Sequence, residues 1–202
     1  MPQKDCQTEK KILNAAMKTF FEDGRLNATT QEIADAAGVN RTLIHYYFRS
    51  KKELMNSLLK DAKIKFTGNN DKILSSGLPF RKKTEAFVDE FLKSQFRYPY
   101  LEPFLTMNLI QERFNINSPK NPRKQPQAIK QHLQEVEHEW KEGRIRAYSP
   151  DHFMLNLFSM IVYPFLTKQL QMNMLDADEE KYEQLLKERK KVIMETLLPE
   201  SV

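Results

Sequence analysis

The sequence predicts an all-α protein of about nine helices in two parts, and three observations carry that reading. Apolar residues recur at helical spacing through the chain, no stretch alternates with the period of a strand, and no internal repeat divides it. With 202 residues, 40% of them hydrophobic and only 5 Gly, there is ample apolar material for packed cores.

Residues 1–7 read as a polar tail. Thr8 is placed to cap a first helix that carries Ile12, Leu13, Ala16, Met17 and Phe20 on one stripe and ends at Gly24. Thr29 followed by Glu32 is a capping box: the hydroxyl takes a free backbone N–H and the carboxylate reaches back. The second helix then buries Ile33, Ala34 and Ala37, and Gly38 supplies a left-handed ending. After this tight turn Asn40 caps a third helix. Ile44 with Tyr47 or Phe48 faces inward, which leaves Arg41, Thr42, His45 and Tyr46 on the other side. Ser50 and Glu53 make a second capping box, opening a fourth helix to about residue 66 with Leu54, Leu58 and Leu59.

Residues 67–79 are rich in turn formers and mark the domain boundary after that linking helix, with room for a short helical turn inside. A fifth helix of about 18 residues follows with Phe87, Phe91 and Leu92, and Pro99 and Pro103 bracket the start of a sixth. Three prolines within 115–126 predict a solvent loop. In the seventh helix Ile129, Leu133, Val136 and Trp140 form a narrow seam closed by Gly143. The eighth, over about 151–171, is the most hydrophobic, and Pro164 should kink or break it. The ninth spans 179–198. Residues 1–60 are taken as the first domain and 61–202 as the second.

The helix–turn–helix of residues 29–48 suits DNA, because a helix fits the major groove and its N-terminal side chains reach base edges, Arg41 best of all. The segment 12–58 resembles the N-terminal domain of the tetracycline-repressor (TetR) family. The resemblance is carried by Phe20 to Gly24, by Thr29-Thr30-Gln31-Glu32-Ile33-Ala34, by Ala37-Gly38-Val39, by Tyr46-Tyr47-Phe48 and by Ser50-Lys51-Lys52-Glu53-Leu54. It departs from the family pattern at Thr42, Leu43 and His45, and by one extra residue between Gly24 and Thr29. These changes bear on the operator sequence and leave the scaffold alone. Leu43 could lie against a thymine methyl or pack inward.

The resemblance implies a regulator that binds DNA. Thr30, Tyr47 and Lys51 are then expected at phosphates, and Gln31, Arg41, Thr42, Leu43, His45 and Tyr46 at bases or nearby sugar, with Asn40 beside them. It also implies a homodimer on a palindromic operator, built from the last two helices. The matching apolar faces are Phe153, Leu157, Ile161 and Phe165, and Tyr182, Leu185, Leu186, Arg189, Ile193 and Leu197. The region after residue 60 holds 10 of the 13 Phe and 6 of the 9 Met, side chains that fill cores and also line cavities. With the resemblance, Phe91, Phe104, Met107, Asn108, Phe158 and Tyr163 become candidate lining for a small, largely apolar effector. Its binding would release the operator.

Charge and composition limit the rivals. The formal charge is +5, of which residues 1–60 hold +3, a mild bias that suits a phosphate backbone. The single cysteine, Cys6, fits a reducing compartment, and neither a signal peptide nor an apolar run long enough for a membrane is evident, so a soluble, cytoplasmic protein is expected. No nucleophile with a base, no phosphate loop and no metal spacing stands out, since His132 and His138 lie six apart. Neither enzymatic activity nor a cofactor is expected. A helical interaction module that keeps the fold without sequence-specific DNA binding, and an activator, remain the alternatives.

Overall fold

The structure, a computed structural model, describes residues 5–114 and 127–199, with the side chains of 62–67 and 108–114 left out. Among the described residues it holds eleven α-helices, one π-helical segment and no strand. Two compact units divide the chain: one comprises residues through Gly68 together with Arg97–Thr106, the other Asn69–Phe96 and everything from Met107 on.

In the first unit, α1 (Cys6–Met17) starts earlier than Thr8 would allow. Asp5 is the cap, its carboxylate accepting from Gln7 N–H at 2.9 Å while the Thr8 hydroxyl donates to its other oxygen. The chain continues as a π-helix over Lys18–Glu22, closed by Asp23 N–H to Lys18 O at 2.9 Å. That wider turn lets the adjacent Phe20 and Phe21 both be fully buried, which a regular helix could not do as readily. Helices α2 (Thr30–Ala37) and α3 (Arg41–Phe48) follow. Ile12, Ala16, Phe20, Phe21, Ile33, Ile44, Phe48, Leu54 and Leu58 make the core, and Leu101 joins it from α6 (Leu101–Phe114). At the elbow before α6, Tyr100 N–H donates to Phe21 O at 3.2 Å, and the Tyr100 ring lies over Gly24, which has φ 70°.

Helix α4 (Lys51–Leu74) does not stop near residue 66. It runs through Gly68, Asn69 and Asn70, whose propensity cost of up to about 1 kcal/mol each is outweighed. Leu74 is buried, and Asn69 Nδ2 donates to Glu90 at 2.7 Å.

In the second unit, α5 (Phe80–Arg97) buries Phe87, Val88, Phe91 and Leu92. Helix α7 (Gln127–Lys141) buries Ala128, His132 and Val136, and the expected seam is shifted: Ile129 and Leu133 are half-buried and Trp140 is exposed. The two last predicted helices are each divided, so the count rises above nine. Helix α8 (Pro150–Leu166) breaks at Thr167 before α9 (Lys168–Met174), and α10 (Glu179–Lys187) is separated from α11 (Arg189–Leu197) at Glu188.

Pro164 explains the first break. It has no N–H for Met160 O, and that carbonyl instead accepts from the Arg189 guanidinium, with Nη2 at 2.9 Å. The Tyr182 hydroxyl donates to Pro164 O at 2.8 Å. Side chains of α10 and α11 therefore satisfy the carbonyls that the kink exposes.

Candidate functional site

The head is assembled from local caps. Thr29 N–H donates to Glu32 Oε2 at 2.7 Å and Glu32 N–H to Thr29 Oγ1 at 3.2 Å, so the capping box is complete. The Thr29 backbone bond, aided by Arg25, holds the Glu32 carboxyl below its ordinary range. Gly38 takes φ 64° and ends α2, and Asn40 Oδ1 accepts from Thr42 N–H at 2.8 Å to start α3.

This frame presents one face of α3. Arg41, Thr42, His45 and Tyr46 are exposed, together with Gln31 on α2 and Asn40 in the turn. Arg41 Nε donates to Thr30 Oγ1 at 3.2 Å, which ties α3 to α2 and leaves both terminal guanidinium nitrogens without a partner among the described residues. Gln31 is held by Asp35 at 2.8 Å, and His45 Nδ1 lies 3.2 Å from Arg49 O. Three of the sequence candidates turn inward. Leu43 and Tyr47 are half-buried against the head's core, Tyr47 donating its hydroxyl to Asp5 O. Lys51 Nζ donates to Leu26 O at 3.1 Å and sits over the Phe20 ring, because a half-buried ammonium needs a nearby acceptor.

Of the six candidate ligand residues, Phe104 belongs to the first unit and the other five to the second. Phe104 packs on Phe21 in the first unit, with ring centroids 5.5 Å apart. Phe91 and Phe158 belong to an edge-to-face cluster with Phe87 in the second unit, all three centroid separations near 6 Å. Met107 is exposed, and the Asn108 side chain lies outside the described residues. Tyr163 lines an open groove of about 480 Å³ on the outer face, with Met160, Leu185, Arg189 and Val192.

Most of the candidate dimer residues are core. Phe153, Leu157, Ile161, Phe165, Tyr182, Leu186, Ile193 and Leu197 are buried within the chain itself, which leaves them no surface to offer a partner. Leu185 is exposed and Arg189 half-buried. The exposed apolar stripe is a different one: Leu155, at 64% exposure, Tyr163, Leu166, Leu170 and Met174, at 71%, follow one another along α8 and α9.

A family model described as bacterial regulatory proteins, tetR family, matches residues 12–58, the stretch that holds these caps and α3. The chain carries a tetR-family head. The BetI transcriptional regulator of Agrobacterium fabrum is 43% identical over 56 residues, 26% of this chain and 27% of its own. The KstR2 transcriptional repressor of Rhodococcus jostii is 32% identical over 77 residues, 38% of each chain. The chain thus spans well under half the length of these curated relatives. A TetR transcription regulator from Haloarcula marismortui, 20% identical, matches 96% of this chain and all of its own with a TM-score of 0.56, which extends the likeness of fold to the second unit.

Sequence reasoning passed over two cations of the tetR-family head. Arg49 and Lys52 are exposed at the junction of α3 and α4, with no side-chain partner among the described residues. They lie just after α3, a position the sequence alone displays. Among the described residues no helix is long and apolar enough to cross a membrane and no cluster could hold a metal ion.

Proposed function

We propose that this protein is a ligand-responsive transcriptional regulator, a repressor that binds a palindromic operator as a homodimer and is released by a small, largely apolar ligand. The observation that carries the reading is the outward face of α3, where Arg41 is tethered by Thr30 with its two terminal nitrogens unpartnered. Arg41, Thr42, His45, Tyr46 and Gln31 read bases, and Thr30, Arg49 and Lys52 serve the backbone. A single reading helix covers one half-site, so two copies spaced by one DNA turn, about 34 to 36 Å, double the contacts. The stripe from Leu155 to Met174 supports pairing of two copies, since an apolar surface of this kind is seldom left to water. The Phe87, Phe91 and Phe158 cluster supports an apolar effector site. Such an effector releases DNA only by binding the non-binding arrangement more tightly than the binding one.

Selection of bound sequences from a random duplex pool tests the proposal, followed by titration of the winner at several salt concentrations. A palindromic winner bound far more tightly than random duplex, with a steep salt dependence, is expected. Weak binding blind to sequence would mean that the fold is kept without DNA reading.

A further inference from the structure

The face of α3 also indicates which bases the head distinguishes, an inference that rests on the DNA-reading proposal above. His45 follows Arg41 by one turn on that face. Its Nδ1 lies 3.2 Å from the backbone oxygen of Arg49. A carbonyl oxygen only accepts, so Nδ1 is the protonated nitrogen of the ring. In return Arg49 N–H donates to His45 O at 2.9 Å, and the two bonds close the end of the helix. Arg49 adopts φ 61°, a left-handed backbone that residues other than glycine seldom take, and this turn aims its carbonyl back at the imidazole.

A neutral imidazole with its proton on Nδ1 carries a bare lone pair on Nε2. We propose that His45 is a specificity-determining acceptor. Its Nε2 accepts from the exocyclic amino group of cytosine or adenine in the major groove, and it discriminates against guanine and thymine, which present acceptors there. Arg41 is the complementary reader. Its tethered Nε leaves two terminal nitrogens to donate to guanine O6 and N7. Arg41 and His45 lie one turn apart on the same exposed face, so each half-site carries a guanine for Arg41 and, nearby, an adenine or cytosine for His45.

Two measurements on the full chain test this. In the free protein, nitrogen NMR of labelled histidine, with the His45 signal assigned by its loss in His45→Phe, should place the proton on Nδ1. A proton on Nε2 overturns the proposal whatever the protein does with DNA. Duplex selection is then run in parallel on wild type, His45→Phe and His45→Lys. The expected result is one position where wild type favours adenine or cytosine by about fivefold. That preference should vanish in His45→Phe and turn toward guanine or thymine in His45→Lys, with the guanine of Arg41 kept. An unchanged preference in His45→Phe overturns the role of His45 and leaves DNA reading intact. A wild type that enriches no motif overturns the DNA-reading proposal, and this one with it.

Discussion

The two units of this chain handle their polar and apolar groups differently. In the reading head the apolar residues close on one core, and the starts of α1, α2 and α3 are each capped by a side chain, Asp5, Thr29 and Asn40. In the second unit Asn70 Oδ1, Gln95 Oε1 and His132 Nε2 are buried without hydrogen-bond partners among the described residues, His132 Nδ1 has only the Glu135 carboxylate at 3.5 Å, and Leu155, Leu170 and Met174 stand exposed. Burial presses the His132 imidazole below its ordinary value, and the nearby Glu135 opposes that shift. An unmet buried polar group is costly and an exposed apolar stripe is unusual. The first unit closes its helix starts with its own side chains, whereas the second leaves buried polar atoms unpaired and apolar side chains exposed.

Mutations two residues apart on α8 sharpen that contrast most. Phe153 is fully buried beside Phe80, with ring centroids 6.0 Å apart, and Phe153→Ala should cost about 3 to 5 kcal/mol in denaturant unfolding. Leu155→Glu should change stability by less than about 0.5 kcal/mol and convert a dimer to monomers in sedimentation. A Leu155→Glu protein that still sediments as the wild type does would remove the stripe from the interface.

Gly24 is the one glycine with no room for a side chain. An added Cβ would lie 2.6 to 2.9 Å from the Tyr100 ring, at a φ of 70°. Gly24→Ala should therefore destabilise by about 2 to 4 kcal/mol, read as a lowered Tm. Losing the cap is milder: Thr29→Ala should cost about 1 kcal/mol. Glu32 adds a pH signature to the same cap. Its folded value lies below the ordinary 4.5, so its stabilising contribution is whole above about that pH and is lost as pH falls through the folded value. Glu32→Gln should remove that part of the acid dependence.

The smallest effect concerns Lys51. Its ammonium is already bonded to Leu26 O, so Lys51→Ala should lower the Tm of the head and leave the salt slope of DNA binding unchanged. A slope reduced by about one unit would put Lys51 on a phosphate instead.

What was legible in the sequence follows from range. The Thr29–Glu32 box, Gly38 and Asn40 act within a few residues, and each works as the residue pattern says. The inward turn of Lys51 depends on Leu26 and Phe20, more than twenty residues away, and no local pattern holds it. Helix α8 is apolar on more than one side, so periodicity could not tell the buried Phe153–Leu157–Ile161 stripe from the exposed one that starts at Leu155. The break near Pro164 was readable; that Arg189 and Tyr182 would satisfy its carbonyls was not. That Phe104 packs on Phe21, more than eighty residues away in the chain, has no local pattern to show it either.

The central claim is that the exposed face of α3 reads base edges through Arg41. Its most direct test is titration of wild type and Arg41→Ala against the selected duplex and a scrambled one at matched salt. The account predicts that Arg41→Ala weakens the selected duplex by about 1 to 3 kcal/mol, roughly 5- to 150-fold, and changes the scrambled duplex much less. Equal affinity of the two proteins for the selected duplex, with the same base preference, would contradict it.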